Sequence, residues 1–178
     1  MYKSLTIIIF FAIISASTLV AEGPYNQNNS DLNIGIGLGS TLVGSMTIPP
    51  ISASYEVGIT DKISAGGYLG FAATEDSWGW GSDDWTWKYT NIIIGARGSY
   101  HFYNEDKIDA YGGLMLGYNI VSVTTPSAYH GGSYSASGSE FVYSIHGGGK
   151  YYFSDSFGAF AELGYGVTYL TLGVTFKF

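Results

Sequence analysis

The last nine residues constrain the fold more than any other stretch of the chain. Leu170, Leu172, Val174, Phe176 and Phe178 alternate with Thr171, Gly173, Thr175 and Lys177. Successive side chains of a strand point to opposite faces, so one face of this segment is apolar and the other polar. Ile51, Ala53, Tyr55, Val57 and Ile59 repeat the pattern against Ser52, Ser54, Glu56 and Gly58. From Asp31 onward no segment holds a 3.6-residue apolar stripe for three turns, whereas period two recurs along most of the chain. Composition agrees: 26 glycines and 16 tyrosines with only 4 prolines in 178 residues favour short strands over helices.

Reading outward from those two segments predicts strands near 31–39, 51–59, 63–72, 89–102, 108–121, 141–153, 157–165 and 168–178. The links 60–62, 103–107 and 154–156 are tight, while 73–88 and 122–140 are long; 40–50 and the tight turn around Gly166 fill the remaining slots. Short and long links alternate. That is the asymmetry of an all-β, eight-stranded, antiparallel up-and-down transmembrane barrel, with turns at one rim and loops at the other.

A soluble eight-stranded barrel would also alternate, but with its apolar face inward. Here Glu56, Arg97, Asp109, His146, Lys150, Glu162 and Lys177 all fall on the less apolar face, and the apolar face carries no charge. Gly66, Gly70, Gly95, Gly113, Gly117, Gly148 and Gly164 share the polar face, as a narrow lumen requires. Aromatic residues collect near the strand ends. Tyr100, Phe102, Tyr151, Phe153, Phe157, Phe176 and Phe178 lie on the turn side, and Tyr118, Phe141, Tyr143, Tyr165 and Tyr169 on the loop side, as two interfacial girdles.

The N-terminus reads as a secretory signal peptide, residues 1–21, with Lys3 before an apolar run over 5–14 and small residues at Ser15, Ala16, Ser17 and Ala21. The run is too short to span a bilayer as a helix. Cleavage is expected near 17–21, leaving a barrel domain over 22–178. The net charge of -7 gives no basic footprint for nucleic acid. Without cysteine the chain has no disulfide, no thiolate metal site and no Cys nucleophile.

The penultimate strand, Phe160-Ala161-Glu162-Leu163-Gly164-Tyr165-Gly166, and the tail Thr171-Leu172-Gly173-Val174-Thr175-Phe176-Lys177-Phe178 are the most specific local sequences. With Gly95-Ala96-Arg97-Gly98 in a central strand, they give residues 31–178 a resemblance to the small porin-like outer-membrane β-barrels of Gram-negative bacteria. These are the kind that includes opacity proteins and the OmpA transmembrane domain. The resemblance implies an outer-membrane location among lipid and lipopolysaccharide, periplasmic termini, extracellular loops, an inward Arg97, and a C-terminal signal at Phe176 and Phe178 read by the barrel-assembly machinery. It implies no cofactor and no ligand, since the tryptophans of 73–88 match no pattern of the family.

Two groups of side chains stand out as candidate sites. The inward charges Glu56, Asp109 and Glu162 balance Arg97, Lys150 and Lys177, and with His146 they read as a paired plug that fixes strand register, against the alternative of a small-solute pore. Trp78, Trp80, Trp85 and Trp87 flank Gly81-Ser82-Asp83-Asp84. Their spacing predicts a hairpin pairing Trp80 with Trp85 and Trp78 with Trp87, either a stabilising aromatic ladder or a platform for a surface glycan or partner protein. Glu75, Asp76, Asp83 and Asp84 match no calcium loop and read as a solvated acidic segment. A lipid A-modifying enzyme is the weakest alternative, resting on His130 among Ser127, Ser133 and Ser135 with no acid to orient it. The expected function is a non-enzymatic structural or adhesive surface protein.

Overall fold

The computed structural model describes residues 23–80, 83–126 and 133–178. The leader read at 1–21 lies outside them, as do Ser127 and His130. Eight strands follow in chain order: β1 (Ser30–Ser40), β2 (Ser45–Gly58), β3 (Ile63–Trp80), β4 (Asp83–Glu105), β5 (Ile108–Pro126), β6 (Ser133–Tyr152), β7 (Phe157–Tyr165) and β8 (Thr168–Lys177). Each pairs antiparallel with its chain neighbours, and β1 closes on β8 from Asp31↔Lys177 to Ser40↔Thr168. The up-and-down barrel expected from the alternation is the fold.

Its sides are inverted relative to a soluble protein. Ile34, Ile36, Leu38, Leu69, Ile94, Leu114, Leu116, Ile145, Leu163 and Leu172 are exposed on the outside, while Asn33, Ser54, Glu56, Ser64, Asn91, Arg97, Ser99, Asp109, His146, Lys150 and Thr175 are buried inside. An outer apolar band of this extent is at home in hydrocarbon, where a spanning sheet must close on itself to pair its backbone. The girdle aromatics Tyr100, Phe102, Tyr151, Phe153 and Phe178 at one rim and Tyr118, Phe141, Tyr143, Tyr165 and Tyr169 at the other are all exposed.

Three sequence expectations need correction. The segment 73–88 is not a long loop: β3 and β4 continue through it as a ladder from Thr74↔Tyr89 to Trp80↔Asp83. Residues 122–140 likewise belong mostly to β5 and β6, paired up to Pro126↔Ser133. The clear apolar alternation read from sequence covers only the lower part of these strands, but the ladder pairing continues beyond it. The 40–50 loop shrinks to residues 41–44, closed by Gly44 at φ 91°, a left-handed conformation that favours glycine. β2 starts at Ser45 and carries Pro49 and Pro50 through register shifts between Met46 and Ile51. An irregular stretch of a strand is where proline is tolerated.

Candidate functional site

Viewed along its axis, the lumen is filled in layers. Next to the short-turn rim, residues 23–29 fold across the mouth. Tyr25 stacks on His101 with ring centroids 3.6 Å apart and planes at 9°, and its hydroxyl donates to the Thr60 carbonyl at 2.8 Å. The Tyr25 amide donates to Asn104 Oδ1 at 2.9 Å, and Asn104 Nδ2 donates back to the Tyr25 carbonyl at 2.7 Å. Burial, then the Asp109 carboxylate, push the Tyr25 phenol up to about 12, so it sits in the mouth as an uncharged donor.

Above Tyr25 lies a first charged layer. Asp109 Oδ1 meets His101 Nδ1 at 2.7 Å, and Lys150 Nζ lies 2.6 Å from Asp31 Oδ2 and 3.7 Å from Asp109 Oδ2. Tyr152 donates to Asp31 at 3.1 Å. A second layer centres on Arg97. Its Nε donates to Glu56 Oε1 at 2.7 Å, and Nη1 and Nη2 donate to Glu162 Oε1 and Oε2 at 3.1 and 2.5 Å. Ser64 and Ser99 each donate to Glu56 Oε2 at 2.8 Å, and Tyr111 donates to Glu162 Oε2 at 3.1 Å. Buried charges persist when paired and further hydrogen-bonded, and this fork geometry is the strongest such pairing. The enclosed space beside Arg97 and Glu162 is about 20 Å³, room for about one water. A third layer is apolar, with Ile93, Met115 and Val167 packed on Tyr68 and Val142.

The inward set read from sequence thus divides. Glu56, Arg97 and Glu162 form one cluster; Asp109 and Lys150 form another; His146 Nε2 touches Ser99 at 3.2 Å and so joins the first. Lys177 stands apart, its Nζ donating to the Pro24 carbonyl at 3.2 Å and lying over the Tyr152 ring, where it holds the N-terminal segment. Sequence reasoning missed Asp31 and His101. Both were within reach of parity, since Asp31 stands opposite both Glu56 and Lys177, and His101 continues the inward series Arg97, Ser99. Ser64, His101 and Asp109 also stand in nucleophile–base–acid order, Ser64 Oγ being 3.0 Å from His101 Nε2. The Ser64 proton, however, goes to Glu56, and Tyr25 covers the imidazole.

At the opposite rim the wall is uneven. β6 pairs with β7 only from Ile145↔Tyr165 downward, and β2 pairs with β3 only up to Ser45↔Glu75. Strands β3 to β6 therefore stand highest: β4 and β5 pair up to Lys88↔Thr124, above which the β3–β4 and β5–β6 ladders continue separately, and β6 residues 133–144 are paired on the β5 side alone. The tryptophan pairing differs from the expectation. Trp78 faces Trp85, Trp80 faces Asp83 and Trp87 faces Asp76, because the ladder runs to Trp80↔Asp83 and leaves two residues, not four, between the strands. Trp87 is exposed. Phe178 exchanges backbone hydrogen bonds with Ser30 at 2.8 and 3.1 Å, so pairing continues to the chain end, and Phe176 packs on Phe157 at 5.3 Å.

No family model and no curated protein matches the sequence. Among solved structures the chain is similar to Ail, the attachment invasion locus protein of Yersinia pestis, with a TM-score of 0.55 and 15% identity over 85% of this chain and 99% of that one. It is also similar to the N-terminal β-barrel domain of Pseudomonas aeruginosa OprF, with a TM-score of 0.51 and 19% identity over 86% of this chain and 100% of that one. A de novo designed transmembrane β-barrel scores 0.50 at 11% identity, over 86% of this chain and 98% of that one. A further Ail structure holds the heparin analogue sucrose octasulfate. At these identities the likeness is one of fold. The chain has the eight-stranded fold of outer-membrane barrels, in agreement with the resemblance carried by its C-terminal strands.

Proposed function

We propose that the protein is a Gram-negative outer-membrane β-barrel that acts at the cell surface through the sheet above its tall rim, while the lumen serves as a structural plug. The uneven wall carries this reading. Strands β3 to β6 stand highest on one side of the barrel, with the Trp78, Trp80, Trp85 and Trp87 hairpin rising from β3 and β4 above the last β4–β5 pair and a β6 edge unpaired over 133–144. Unpaired strand edges and aromatic patches are surfaces on which partners dock. In this reading the leader over 1–21 exports the chain, Phe176 and Phe178 engage the assembly machinery, and the apolar band contacts lipid and lipopolysaccharide. Both termini lie in the periplasm. The layered lumen supports a plug rather than a pore, and no residue is assigned a catalytic role.

The partner is a surface glycan or a protein. Ail with its heparin analogue supports the glycan class, but the projecting half of this chain carries Glu75, Asp76, Asp83, Asp84 and Glu140 against Lys88. Such a face repels sulfated chains and suits a neutral glycan or a basic protein surface. The test is adherence of expressing cells to arrays of neutral and sulfated glycans and to matrix proteins. Replacing residues 76–86 by a short Gly-Ser link should abolish adherence while heat-modifiable gel mobility persists; adherence that survives the replacement would refute the hairpin's role. A steady conductance in planar bilayers comparable to that of a large porin would refute the plug.

A further inference from the structure

A cavity of about 480 Å³ lies at the tall rim, above the apolar layer. That is within the usual size of a small-ligand pocket. Its lining mixes two kinds of residue that a regular barrel keeps apart. Tyr89, Asn91 and Val121 belong to the lumen side, since Asn91, Ile93 and Asn119 of the same parity are buried. Phe141, Tyr143 and Tyr165 belong to the exposed aromatic girdle. They meet in one cavity because β7 ends at Tyr165 while β6 continues upward without it, leaving a notch in the wall. The cavity therefore opens both upward and sideways, at the height of the girdle.

Its chemistry is one-sided. Among the described residues Glu140 is the one charged group in the lining; its side chain is exposed, and one of its oxygens is bonded from below. Buried Asn119 donates from Nδ2 to Glu140 Oε1 at 3.1 Å and to Asn91 Oδ1 at 2.9 Å. A carboxylate at the mouth of a cavity whose lining also includes Tyr89, Phe141, Tyr143 and Tyr165, with apolar walls from Leu42 and Val142, suits an organic ammonium group with an apolar tail. The acidic residues of the projecting sheet add a field that draws cations to this mouth.

We infer that this cavity binds single-chain amphiphiles with an ammonium head, the head at Glu140 and the hydrocarbon tail leaving through the β6–β7 notch toward the lipid. The inference rests on the membrane reading only in that the notch must face lipid. The test uses the barrel folded in dodecyl maltoside micelles, with folding verified separately by heat-modifiable gel mobility, so that loss of the fold is distinguished from loss of the site. Dodecyltrimethylammonium is titrated while the backbone amide resonances of Tyr89, Val121 and Glu140 are followed. Saturable shifts at these residues are expected. Tetramethylammonium, the head alone, should bind at least about tenfold more weakly, and dodecyl sulfate should give no saturable shift. Glu140→Gln should weaken binding about tenfold, and Val121→Trp, which fills the cavity, should abolish it. Equal responses to the sulfate and the ammonium, equal binding of the head alone, or affinity unchanged by both substitutions would overturn the assignment.

Discussion

Replacing Arg97 by Met tests the plug with little change of volume. Arg97 donates one hydrogen bond to Glu56 and two to Glu162, and its side chain is 4% exposed. Removing one member of a buried pair costs about 3–5 kcal/mol, because the partner's charge stays buried without compensation. Two carboxylates are stranded here, but unequally. Glu56 retains the hydroxyls of Ser64 and Ser99, whereas Glu162 retains Tyr111. The loss should therefore fall at the upper end, about 5 kcal/mol, with Glu162 as the main cause. Glu162→Gln in addition should restore part of the stability. Arg97→Met with Glu56→Gln and Glu162→Gln should return to within about 2 kcal/mol of the parent, since a neutral set of similar volume needs no pairing. The assay is the urea midpoint of the barrel in lipid vesicles, read by far-ultraviolet circular dichroism and gel mobility. A loss below about 1 kcal/mol for Arg97→Met, or a triple variant no more stable than the single one, would refute the account.

Other outcomes follow from single contacts. Gly113→Ala should cost about 1–3 kcal/mol in the same assay, because a Cβ there meets the Gly98 carbonyl and lies 2.6 Å from His146 Nε2. In this cysteine-free chain, Trp78→Cys with Trp85→Cys should cross-link on oxidation, and Trp80→Cys with Trp85→Cys should not; the reverse would restore the four-residue turn. Tyr25→Ala should open His101 to diethyl pyrocarbonate from the short-turn side, detected as a mass increase on that residue. It should leave planar bilayers without a steady conductance, because the Arg97 layer and the Ile93, Met115 and Val167 layer remain.

What could be read from the sequence tracks the solvent boundary. Between the girdles, each strand buries one parity and offers the other to lipid, so Leu114 and Leu116 against Met115, or Ile92 and Ile94 against Ile93 and Asn91, mark the strand in both composition and period. Beyond the girdle both faces meet water. Ser133, Ser135, Ser137 and Ser139 then carry no period against Ala136 and Gly138, although all belong to one ladder. The tryptophan register failed for a related reason. Gly81-Ser82 and Gly81-Ser82-Asp83-Asp84 both leave same-face tryptophans opposite one another, and only the ladder, fixed far below by pairs such as Gly66↔Arg97, selects between them.

The clusters inside the lumen were half legible for a different cause. Parity assigns a charge to the interior but not to a partner, since a partner's identity depends on height within the barrel and on reach across it. Arg97 is 41 residues from Glu56 and 65 from Glu162, and Lys150 is 119 from Asp31. These contacts join strands that are not neighbours, so each acts as a strut across the lumen and fixes the relative register of distant strands from within. The consequence for the surface is direct. The struts that join distant strands lie at and below the Arg97 layer, and among the described residues the side-chain ties above it, such as Asn119 with Asn91 and Glu140, join neighbouring strands only, so the sequence above the rim is less constrained by the lumen. Glu75, Asp76, Asp83, Asp84 and Glu140 against Lys88 leave that part of the chain acidic, a charge that the struts below neither need nor balance.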